Sequence, residues 1–130
     1  MSAATVRAVL TRAVAGLGLR PLVDESPLAR PPAGVPWMRL VLLPEQTEAG
    51  DDWEAWHGRL RLILHDPLTS ALESAEATAD ALADALANRR LDTNGLALVT
   101  GPLARAGLVV EGSFRQLSLE LSYHALGPRE

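Results

Sequence analysis

Three histidines, His57, His65 and His124, are the side chains of this 130-residue sequence that titrate near neutrality. His57 opens the alternating run HGRLRLILH, His65 closes it, and His124 falls near the end of FRQLSLELSYHAL. None stands in the H-x-x-x-H or H-E-x-x-H spacing that puts two zinc ligands on one helix face, so no metal site is expected. Asp80 and Asp84 share one side of a helix, as an acid–base pair would. They also continue Glu73 and Glu76, and such a stripe of acids reads as solvated surface. Glu45, Glu48, Asp51, Asp52 and Glu54 crowd one short segment, but the D-x-[DN]-x-[DN]-G order of a calcium loop is missing. A solvated hairpin tip is expected there instead. Cysteine and lysine are both absent, which removes thiol chemistry, disulfides and Schiff-base formation. Ser70, Ser113, Ser118 and Ser122 lack a nucleophile elbow and read as capping, turn and exposed-strand residues. The expectation is a chain with no catalytic residue, metal or cofactor: not an enzyme.

Composition narrows the classes further. A net charge of −4 argues against an electrostatic nucleic-acid binder, which needs a basic patch. No apolar run approaches bilayer length, and MSAATVRAVLTRAV is too evenly amphipathic for a secretory core, so a soluble, unprocessed protein is expected. One domain spanning 1–130 is large enough to bury a core without metal or disulfide.

The elements that must position these residues follow from periodicity. Val6, Val9, Leu10, Ala13, Val14 and Leu17 predict an amphipathic helix over 3–17 that ends at Gly16 and Gly18. Prolines at 21, 27, 31, 32 and 36 make 18–36 an arm or loop and exclude a helix or central strand. A strand pair is expected over 37–65, with Leu60, Leu62 and Leu64 toward the core and Arg59, Arg61, Ile63 and His65 away from it. The longest periodic stretch, 66–90, predicts a central helix with Asp66 as its cap and Pro67 in its first turn, or a start at Ser70. Its apolar stripe is Leu68, Leu72, Ala75, Ala79, Leu82 and Leu86, and Arg89 and Arg90 suit its C-terminal dipole. Closing strands occupy 95–126, and the last points Leu117, Leu119, Leu121, Tyr123 and Ala125 inward. The fold class is therefore α+β: an antiparallel-rich mixed sheet of four to five strands with two helices on one face, in the order α-β-β-α-β-β-β.

This order resembles the tail terminator (tail-completion) proteins of long-tailed bacteriophages. The likeness lies in the short N-terminal helix, the proline-rich crossing into paired strands (Trp37–Leu43 and Gly58–His65), the strand LRLILHDP leading into an alanine-rich helix, and the final RQLSLELSYHAL. It implies a structural virion protein of the tail, assembled in the host cytoplasm. Six copies would form a ring that caps the tail tube, stops its polymerisation and joins tail to head. The implied partners are other copies of the chain, the tail tube protein and the head–tail connector, with DNA passing through without specific binding and no membrane. Beside that resemblance, Trp53, Trp56, Arg59 and Arg61 are candidate subunit or tube contacts. Glu45, Glu48, Asp51, Asp52 and Glu120 are candidate acids of the channel wall, where they would repel phosphates. The rival reading is a small ligand-binding or regulatory domain acting as a dimer.

Overall fold

The computed structural model describes residues 3–23, 30–32, 34–93 and 95–128. Most of the expected 18–36 arm is described, but positions 24–29 and 33 lie outside. Helix α1 (Ala3–Ala15) leads through an edge strand β1 (Leu22–Val23) into a long hairpin, β2 (Trp37–Ala49) and β3 (Trp53–Pro67). Helix α2 (Leu72–Leu86) follows, then β4 (Ala97–Arg105), β5 (Val109–Glu111) and β6 (Phe114–Pro128). The strands form one six-stranded sheet in the order β1-β2-β3-β6-β4, with β5 beside β6 next to β4. Among the described strands only β1 runs parallel to its neighbour, so the sheet is mixed and mostly antiparallel.

Two-residue alternation sets the layers. Leu42, Leu60 and Leu121 face one another across β2, β3 and β6, as do Leu40, Leu62 and Leu119, then Met38, Leu64 and Leu117. All nine are buried on one face. Val6, Leu10 and Val14 of α1 and Ala75, Ala79, Leu82 and Leu86 of α2 complete that core. Each large side chain buried there contributes about 1.5–3 kcal/mol. The alternation expected in β3 and β6 is the one observed. Gly58 is part of it, because a Cβ there would stand 2.6 Å from the Tyr123 hydroxyl lying across β3.

Several expectations are corrected. The sheet has six strands rather than four to five, because Leu22–Val23 adds an edge strand within the proline-rich crossing. The central helix is shorter than 66–90 at both ends. Asp66 and Pro67 are not its cap and first turn: they continue β3, paired with Arg115 and Phe114. Ser70 does not cap it either; Ala71 holds the cap position with no side-chain bond. Leu68 and Leu72, placed in the apolar stripe, are exposed, and so is Leu17 after α1. At the other end Ala87 is extended and Asn88 has a φ of 54°. The buried Thr100 hydroxyl donates to the Leu86 carbonyl and accepts from the Arg89 N–H at 2.9 Å, closing the helix against β4. Arg89 still meets the helix terminus, donating to the Asp84 carbonyl at 2.8 Å. The segment 45–56 is the exposed end of the β2–β3 hairpin, with the strands running into it and 50–52 as the turn.

Candidate functional site

Both helices pack on one face of the sheet, and no described helix lies over the other face of β2, β3 and β6. On it, Arg59 and Arg61 flank Glu120 of the neighbouring strand, with contacts of 3.3 and 2.8 Å. The bond from Arg61 is the main cause that holds the Glu120 carboxyl below its usual range; burial opposes it, and the Arg59 charge adds to the lowering. Farther along, His57 and His124 meet across β3 and β6, ring centroids 3.8 Å apart and tilted by 52°.

At the end of the sheet where β3 meets α2, Trp37 stacks on His65 at 3.9 Å with an interplanar angle of 1°. Phe114 stands edge-on to Trp37, and the Arg39 guanidinium lies 5.4 Å from its ring centre. Burial, and then the positive charge of Arg39, push the His65 pKa down, with Glu111 pulling the other way. Trp37 Nε1, Arg39 Nε and His65 Nε2 are buried without a hydrogen-bond partner among the described residues. Beneath this cluster, on the helix side, Arg20 donates to Asp66 at 2.5 Å and to Thr78 at 2.9 Å. The two charged side chains are 4% and 1% exposed, so this pair ties the β1 approach, β3 and α2 into one unit.

The residues singled out from the sequence are dispersed rather than gathered. Trp53 lies at the start of β3, 41% exposed, against Gly50 of the turn. Trp56 points to the opposite face, packs on the core and donates to Glu54 at 3.4 Å, so the two tryptophans do not form one surface. Arg59, Arg61 and Glu120 are brought together, and Glu120 is therefore a neutralised acid. Glu48 accepts from Gln46 at 3.2 Å, and Asp51 and Asp52 are exposed at the turn. Glu45 belongs to β2, at a register shift between Pro44 and Gln46, and its side chain lies outside the description. Asp80, of the acidic helix stripe, pairs with Arg105. Trp37 and Arg20 carried no signal in the sequence beyond their place in or before a strand, because His65 and Asp66, which they meet, are dozens of residues away.

Among the described residues no three histidine, cysteine, aspartate or glutamate side chains gather as a metal would need. No described helix is long and apolar enough to cross a membrane. The described residues line open surface recesses, among them one of about 430 Å³ at Asp92, Thr93, Gly95 and Leu96, one of about 390 Å³ at Leu19, Arg20, Val35 and Thr78, and one of about 300 Å³ at Arg61, Arg105 and Glu120. The arrangement offers charged and aromatic contacts.

No protein-family model matches the sequence, and no curated protein matches it. Seven chains of known structure do share its shape. One of them superposes with a TM-score of 0.78 over 96% of both chains at 20% identity, and its name states no activity. At that identity the likeness establishes the fold alone.

Proposed function

We propose that this chain is a structural subunit of a bacteriophage tail: a terminator that closes into a six-membered ring, caps the tail tube, stops its growth and receives the head connector. The observation that carries this reading is the bare sheet face. Helices cover one side, while the other presents charged, aromatic and aliphatic side chains along β3 and β6. A surface of that shape suits contact with protein, and heterologous contacts between copies close into rings. Arg59, Arg61 and the exposed Trp53 are the proposed subunit or tube contacts. The net negative charge suits a ring through which DNA slides without specific binding. In this reading the protein is not an enzyme and carries no cofactor; it resides in the virion tail after assembly in the host cytoplasm.

The test is mass across a concentration series, with and without tail tubes, followed by electron microscopy. Rings of six at tube ends, and tubes that no longer lengthen, are the expected result. A dimer that persists at every concentration and ignores tubes overturns the proposal in favour of a small regulatory domain.

A further inference from the structure

Some charges of this sheet are paired within the chain and others are not. Arg59 and Arg61 share Glu120, Arg105 meets Asp80, and Arg90 meets Asp92. Arg39 forms no ion pair among the described residues; it rests over Trp37, whose indole N–H also lacks an acceptor although the side chain is 95% buried. At the opposite end, the turn of the β2–β3 hairpin exposes Asp51 and Asp52, and Glu48 stands just before it; none of these three has a cationic partner among the described residues. The two groups cannot meet within one chain. β2 runs thirteen residues from Trp37 to Ala49, which at about 3.3 Å per residue separates its ends by about 40 Å.

We infer that the acidic hairpin turn of one copy docks on the Trp37–Arg39–His65 cluster of the next. A carboxylate arriving at Arg39 makes a charge-assisted hydrogen bond at the edge of an aromatic platform that limits water access. Glu111, the acid that faces His65 from β5, adds opposing charge and sets how closely the hairpin seats. The contact is heterologous, hairpin to cluster, so it propagates in one direction and closes when the rotation per copy allows. This inference rests on the ring reading and moves Glu48, Asp51 and Asp52 from the channel wall to the subunit contact.

Two full-length variants test it: Asp51→Arg combined with Asp52→Arg, and Arg39→Glu. All three positions are away from the helix-covered core, and far-UV circular dichroism checks that each variant folds. Sedimentation is expected to give assembly at least tenfold weaker for either variant alone than for the unaltered chain. An equimolar mixture is expected to assemble again, because each altered hairpin then finds a complementary cluster on its neighbour. If the unaltered chain forms rings and both variants form them equally well, the contact is overturned while the ring reading stands. If both variants are impaired and the mixture is not restored, the pairing is likewise overturned. If the unaltered chain never exceeds a monomer, alone or with tubes, both readings fall.

Discussion

Two arginine–carboxylate groups share strand β3, and they differ in almost everything but chemistry. Arg20–Asp66–Thr78 sits on the helix-covered side with both charges out of water. Arg59–Glu120–Arg61 lies on the bare face with side chains 29–47% exposed. Buried, a charge that loses its partner must either neutralise or disrupt the core, so the first group acts as a lock on three elements. Exposed, the second is screened by water and salt and leaves the fold nearly indifferent to it. The lesson is that position, not the ion pair, decides whether a charge belongs to stability or to recognition.

The sharpest way to break this contrast is Asp66→Ala, which strands the Arg20 guanidinium. Chemical denaturation is expected to show a loss of about 3–5 kcal/mol. A loss below about 1 kcal/mol would mean that the pair is solvated and the contrast false. Next in size is the combined Arg20→Met and Asp66→Leu chain. Replacing both buried charges with apolar side chains is expected to recover most of that loss, because each charge was costly to desolvate. Recovery of less than half would point to the hydrogen bonds with Thr78 and the Trp37 carbonyl as the larger part of the lock.

His65 gives a smaller, pH-resolved effect. Its pKa is lowered on folding, so the unfolded chain binds the proton more readily. The sign is then fixed by linkage: stability is complete above the ordinary value of about 6.5 and is lost as pH falls from there through the lower folded pKa. His65→Phe keeps a ring against Trp37 and is expected to flatten this part of the pH profile, as followed by thermal melts between neutral and mildly acidic pH. An unchanged slope would assign the effect to other groups.

The smallest effect belongs to the bare face. Glu120→Gln is expected to cost less than about 1 kcal/mol. Because the Glu120 pKa is depressed, its contribution is present above the usual carboxylate range and disappears as pH falls through the folded value. Added salt should shrink the difference between variant and parent. A cost that rivals Asp66→Ala would erase the distinction between the two groups.

Much of the scaffold was legible without coordinates, and the reason is local. Leu60, Leu62 and Leu64, and Leu117, Leu119 and Leu121, face inward because alternation is a property of the strand itself. Val6, Leu10 and Val14, and likewise Ala75, Ala79, Leu82 and Leu86, do so because 3.6-residue spacing is a property of the helix. The candidate site was legible only in part. Arg59, Arg61 and Glu120 were named, but nothing in their spacing announced that Glu120 would stand between the two arginines. Trp53 and Trp56 looked like a pair, yet an odd separation in a strand sends them to opposite faces.

Sequence alone determined which residues of each element turn inward, because that choice needs only near neighbours. Tertiary structure decided what those elements become at their ends. Asp66 has every local mark of a helix cap, yet it extends β3 because Arg115 pairs with its backbone and Arg20, 46 residues away in sequence, takes its carboxylate. The last turn of α2 stops where Thr100 reaches back to Leu86. Trp37 stacks on His65 only once the β2–β3 register has set them side by side. Such outcomes depend on partners that the chain brings together only by folding.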